Sequence, residues 1–186
     1  MTNSPLASVH RTGPQGSAHG GAAERDDRPW EAGQFESLLK SLLTSEGGVS
    51  AVTTFAEAGY TVSRYGLRLS LPSGAAVYLQ IVSASAPDGR APQQGTAPPR
   101  LRAAALPARG KTSLSAVERH LQAVLSSAGD RRIRLTEPYS ARGASIAYGL
   151  HVRFHNGATV YCYVVHALAP GTDVPRGRPF RSVRQI

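Results

Sequence analysis

Residues Tyr148–Pro170 read YGLHVRFHNGATVYCYVVHALAP, and Tyr65–Pro87 read YGLRLSLPSGAAVYLQIVSASAP. The two align without a gap. Tyr65, Gly66, Leu67, Gly74, Ala75, Val77, Tyr78, Val82, Ala84, Ala86 and Pro87 return as Tyr148, Gly149, Leu150, Gly157, Ala158, Val160, Tyr161, Val165, Ala167, Ala169 and Pro170. Identity at about half the positions is more than chance supplies, and an internal repeat sets the architecture of a chain before any other feature does.

Each stretch reads as a β-hairpin. Asn156-Gly157 lies between two β-rich runs, and Asn-Gly suits a two-residue turn whose central residues both need positive φ. That turn sets His155 against Ala158, Arg153 against Val160, Val152 against Tyr161 and His151 against Cys162. Side chains alternate across a strand. Leu150, Val152, Phe154, Tyr161, Tyr163 and Val165 then share one face, the expected core. His151, Arg153, His155, Val160, Cys162, Val164 and His166 share the other. In the first stretch Leu67, Leu69, Leu71, Tyr78 and Val82 take the core face, and Arg68, Ser70, Val77, Leu79, Ile81 and Ser83 the opposite one.

A helix precedes each hairpin. Trp30, Phe35, Leu38, Leu39, Leu42 and Leu43 recur at helical spacing from Trp30 to about Ser45, and Gly47-Gly48 is a stop signal. Val117, Leu121, Val124 and Leu125 make the stripe of a second helix over Ser113–Ala128, where Ser115 and Glu118 have capping-box spacing. Leu38 and Leu42 stand as far before Tyr65 as Leu121 and Leu125 stand before Tyr148. A strand is expected between helix and hairpin in each half, over Val49–Phe55 and Arg131–Tyr139.

The expected fold is α+β. Two tandem helix–strand–strand–strand repeats form a pseudo-twofold antiparallel sheet with two helices on one face. The segments are a disordered 1–28, a first repeat over 29–88, a Pro/Ala/Arg-rich linker over 89–111, a second repeat over 112–170 and a basic tail over 171–186. One such unit is marginal alone. Joining the halves completes the core, and the alternative is two small domains on a flexible linker.

The chain of 186 residues carries a formal net charge of +9. Residues 1–99 hold 7 Lys+Arg and 8 Asp+Glu, whereas residues 100–186 hold 14 and 4. Arginine replacing lysine is the mark of a GC-rich genome, but codon bias does not empty one half of acids. The asymmetry points to a polyanionic partner, DNA or RNA. The expected contacts are Arg131, Arg132, Arg134, Arg142, Arg153, Arg176, Arg178, Arg181 and Arg184. The alternative is a protein-interaction module or assembly subunit with an incidental basic surface. Val77, Leu79, Ile81, Val160, Cys162 and Val164 would be its apolar stripes, on a sheet face away from the helices. That face would be closed by a second copy, a protein partner or the linker.

No chemistry-bearing motif stands out. The sequence lacks a Gly-rich phosphate loop, H-E-x-x-H and G-x-S-x-G. Gly110-Lys111-Thr112 echoes a P-loop without its first glycine or preceding strand. His151, Cys162 and His166 are metal-ligand types, but a flat strand face does not converge four ligands. The chain is therefore expected to be non-enzymatic, without cofactor or metal. One cysteine permits no internal disulfide, which fits a reducing, cytoplasmic setting. No stretch reads as a membrane span.

Overall fold

Helix α1 spans Ala32–Glu46, followed by strands β1 (Ala51–Thr54), β2 (Gly66–Ser70) and β3 (Ala76–Ala84). Helix α2 spans Leu114–Ser127, followed by β4 (Ile133–Pro138), β5 (Gly149–Phe154) and β6 (Thr159–Leu168). This is a computed structural model, and it describes residues 31–91, 93–142 and 148–172. The N-terminal segment to residue 28, Trp30 and the tail arginines Arg176, Arg178, Arg181 and Arg184 lie outside the described residues.

The six strands form one sheet in the order β1-β2-β3-β6-β5-β4, with every pairing antiparallel. The seam is β3 against β6. There Gln80 pairs with Tyr163, its counterpart in the aligned stretches, and Ile81 and Leu79 pair with Cys162 and Val164. Two helices and a six-stranded antiparallel sheet make the protein α+β. The halves share one core, in which Phe35, Leu39 and Leu43 of α1 and Val117, Leu121 and Val124 of α2 meet Leu67, Leu69, Leu150 and Val152.

Phe35, Leu39 and Leu43 of the expected stripe reach this core, but the match of Leu38 and Leu42 to Leu121 and Leu125 is off by one. Leu39 and Leu43 are fully buried, whereas Leu38 and Leu42 are half-buried. Counted from the buried positions, α1 and α2 are 82 residues apart (Phe35 to Val117, Leu39 to Leu121), one fewer than the hairpins. The cap differs too. Ser113 Oγ accepts from Ala116 N at 3.2 Å, so the N-cap is Ser113 rather than Ser115. Glu118 is thereby free of any capping role.

The turns correct the expected register. Phe154 N donates to Ala158 O at 3.0 Å, and Leu71 N donates to Ala75 O at 2.8 Å. Both loops thus hold three residues, ending in Gly157 (φ 91°) and Gly74 (φ 85°). One left-handed residue after a tight turn is the usual three-residue solution, and only glycine takes it without strain. Asn156 is not a second left-handed residue that the turn consumes. Its Oδ1 accepts from Ala158 N at 3.0 Å, and its Nδ2 donates to Arg90 O at 3.4 Å.

A one-residue slip turns every side chain of a strand to the other face. The observed pairs are Arg153 with Thr159, Val152 with Val160, His151 with Tyr161 and Leu150 with Cys162. In β2 and β3 they are Leu67 with Leu79 and Leu69 with Val77. The strands before the turns keep their expected faces, and the strands after them are reversed.

Candidate nucleic-acid interface

The reversal disposes of the expected apolar stripes. Val77, Leu79, Ile81, Val160 and Cys162 are buried and belong to the core cluster that holds the helices, and half-buried Val164 packs against it. They are not available to a partner. Burial of a Leu or Ile side chain contributes about 1.5–3 kcal/mol, and here that stabilises the fold itself. His151 and Cys162 are not cross-strand partners either. Cys162 lies in the core, where burial pushes its thiol far above the usual range, so it is neither a ready nucleophile nor a ready ligand.

The outer sheet face is instead aromatic and polar. Alternation from the observed pairs puts Arg68 of β2, Tyr78, Gln80 and Val82 of β3, Tyr161 and Tyr163 of β6, and His151 and Arg153 of β5 on it. Val82 is 39% exposed, while Gln80, Tyr161 and Tyr163 are half-buried. Four rings form a contiguous group. His151 stacks on Tyr161 at 5.2 Å, Tyr161 on Tyr163 at 5.9 Å, and Tyr139 lies 5.6 Å from Tyr163. A second group of four rings, Phe55, Tyr60, Tyr78 and His166, occupies the other half, where Tyr60 Oη and His166 Nε2 are 3.1 Å apart.

Charge concentrates beside the group of His151, Tyr161, Tyr163 and Tyr139. Glu137 Oε2 is 3.3 Å from both Arg142 Nη1 and Arg153 Nη2, and 3.5 Å from His151 Nδ1. Arg142 also donates to His151 Nδ1, which a neutral ring accepts. Burial, then the Arg142 charge, holds His151 below its ordinary pKa against the pull of Glu137. Partial burial opposes ionisation of Glu137, but the hydrogen bond from Arg153 and the Arg142 and Arg153 charges outweigh it and lower its pKa. The cluster therefore carries two guanidinium charges and one carboxylate, a net single positive charge beside the rings.

The described arginines of the expected contact set divide. Arg142 and Arg153 belong to this cluster. Arg132 is clamped by Asp130, with Nη2 2.8 Å from Oδ2 and Nε 3.0 Å from Oδ1. Exposed Arg131 donates from Nε to Gly95 O at 3.2 Å, and Arg134 is exposed. They do not converge on one point.

The linker arginines count toward the charge asymmetry read from the sequence, but the expected contact set leaves this second basic group out. The 89–111 segment is tied down at several points. Gly95 N donates to Arg131 O, and Leu101 N donates to Ser126 Oγ at 2.9 Å. Ala104 O lies 3.3 Å from His120 Nδ1, and Leu106 enters the core cluster. The stretch from Leu101 to Ala104 therefore runs antiparallel beside α2. Arg100, Arg102, Arg109 and Lys111 on this segment, with Arg119 of α2, are exposed and make no ion pair among the described residues. The signal was there as five cations in the segment, Arg90 included, but only tertiary contacts set it next to α2.

Among the described residues, no three His, Cys, Asp or Glu side chains converge as metal ligands, and no helix is long and apolar enough to cross a membrane. Comparison with protein-family models, curated proteins and solved structures finds no match.

Proposed function

We propose that this is a non-enzymatic nucleic-acid-associated protein of the cytoplasm, holding its partner through phosphate contacts on a basic surface built by the second half. The observation that carries the reading is a set of exposed cations on the 89–111 segment and α2 that make no ion pair among the described residues: Arg100, Arg102, Arg109, Lys111 and Arg119. Cations left without carboxylates keep their full charge for a polyanion, unlike Arg132, which Asp130 already neutralises. Arg131 and Arg134 extend the surface. In this reading the protein is a duplicated helix–strand–strand–strand unit. Its helices share one sheet face, and its pseudo-twofold axis passes through the Gln80–Tyr163 pair. Duplication supplied the scaffold, and divergence made one half basic.

The test is retention of labelled DNA and RNA across a salt series. Each phosphate contact releases counterions, so affinity falls steeply with salt, with a log–log slope of about −0.7 to −0.9 per contact. Replacing Arg100, Arg102 and Arg119 together with Gln is expected to flatten that slope by about 2–3. Absence of binding to any nucleic acid at low salt refutes the function.

A further inference from the structure

We infer that the outer sheet face receives the unpaired bases of a single-stranded nucleic acid, which lie against Tyr161 and Tyr163 while the backbone meets Arg153 and Arg142. The inference rests on the nucleic-acid reading above and names its partner class. Three observations carry it. The face is a strand surface with half-buried tyrosine rings side by side at its centre. Aromatic rings on an open sheet suit unstacked bases, because every base has a π-face and a duplex hides it. Arg142 and Arg153 border the rings and share one carboxylate, so the margin stays positive and complements a phosphate.

The arrangement is specific to the second half. The sequence counterparts of His151, Arg153 and Tyr163 are Arg68, Ser70 and Gln80, so the first half keeps only Tyr78 at the position of Tyr161. Tyr78 is itself buried among Phe55 and Tyr60. Bases are therefore expected over the β5–β6 half of the face.

The experiment is fluorescence anisotropy of the full chain with a labelled oligonucleotide, single-stranded, annealed to its complement, and as an abasic strand of equal length, in DNA and RNA forms. Wild type is expected to prefer the single strand over both the duplex and the abasic strand. Tyr161→Leu and Tyr163→Leu keep apolar bulk, and their folding is checked by urea denaturation. Each is expected to lose about tenfold in single-strand affinity and nothing for the abasic strand. Arg153→Gln is expected to reduce the salt slope by about one contact. Equal affinity for single strand and duplex, or tyrosine variants that bind like wild type, overturns the inference. So does a dimer stable at high salt that Tyr161→Leu dissociates. If the preference fails while salt-dependent binding persists and needs Arg100, Arg102 and Arg119, the phosphate reading stands without it. If no polyanion binds at all, both fall.

Discussion

Glu118 and Gly149 are joined by a buried hydrogen bond, the glycine N donating to the carboxylate Oε1 at 2.7 Å. The same carboxylate accepts from Ser140 N at 3.2 Å and from the Ser140 hydroxyl. Helix α2 is thereby tied to the start of β5 and to the turn after β4. An equivalent tie exists in the first half, where Gly66 N donates to Glu36 Oε1 at 2.6 Å. Bonds to a charged acceptor contribute about 1.5–3 kcal/mol, and a buried donor left unmade costs a similar amount. Glu118→Ala is therefore expected to cost about 2–4 kcal/mol by urea denaturation, and Glu118→Gln less, since its amide oxygen still accepts from Gly149. A neutral Glu118→Ala would show that water replaces the carboxylate.

Gly149 explains the Tyr-Gly-Leu signature. At φ 143° its added Cβ would stand 1.9 Å from Cys162 O, so the neighbouring backbone forbids any side chain. A Cβ on Gly66 would stand 2.5 Å from Leu79 O and closer still to the Phe55 ring. Gly149→Ala is expected to cost at least about 3 kcal/mol, read as a lowered denaturation midpoint or loss of soluble folded protein. Gly66→Ala should behave similarly. Wild-type stability in Gly149→Ala would contradict the packing of β5 on β6.

Leu79 and Ile81 test the corrected register. Both lie in the shared core, so replacing either with Lys buries an unpaired charge. Loss of cooperative folding is expected, because a buried large-to-small change alone costs about 2–5 kcal/mol and the charge adds to it. Far-UV circular dichroism checks this. A folded Leu79→Lys, Ile81→Lys double variant would restore the exposed stripe that the register denies.

Stability is expected to fall with pH in two stages. Burial holds His166 below its ordinary pKa, as burial and Arg142 hold His151. A depressed histidine favours the neutral form in the fold, so its contribution is complete above about pH 6.5 and is lost as pH falls below that. The carboxylates follow. Hydrogen bonds from Lys40 and Thr54 lower Glu57 to about 2. Burial opposes ionisation of Asp130, but bonds from Arg132 outweigh it and lower its pKa. Their contributions are present above about pH 4.5 and disappear below it. Urea midpoints should hold level from pH 8 to about pH 6.5 and then decline in two steps toward pH 3, and a midpoint that rises on acidification would contradict the signs.

Cys162 supplies a readout of global opening. Its thiol is fully buried, and burial raises its pKa far above the usual range. Native protein is expected to resist a thiol reagent and to react fully in denaturant, since the reacting species is the thiolate. Fast native labelling would mean that the β3–β6 seam opens without unfolding.

The sequence by itself determined the elements and favoured, over two small domains, a union of the halves. Phe35, Leu39 and Leu43 announce a helix because burial of one helical face has a period of 3.6 residues. Gly74 and Gly157 announce turns because only glycine takes left-handed φ freely, and each half is incomplete alone, which favours one joined sheet; that β3 meets β6 at the seam comes from the structure. What the tertiary structure alone decided was which way the strands after the turns face. Asn156-Gly157 fits a two-residue loop and a three-residue loop equally well. The runs VYLQIV and VYCYVV are apolar on both sides, so hydrophobic alternation does not choose between registers that differ by one residue. Packing chose. Aliphatic Val77, Leu79, Ile81 and Val160 join one core cluster with residues of both helices, and the tyrosines Tyr161 and Tyr163, each with a hydroxyl to satisfy, stay outside it. The same one-residue choice moved the candidate site from an apolar stripe to an aromatic, basic face. Likewise, Arg102 and Arg119 are 17 positions apart in sequence, and the segment that carries Arg102 comes to lie beside α2 only through Leu101 bonding Ser126 and Ala104 meeting His120, contacts that no local pattern encodes.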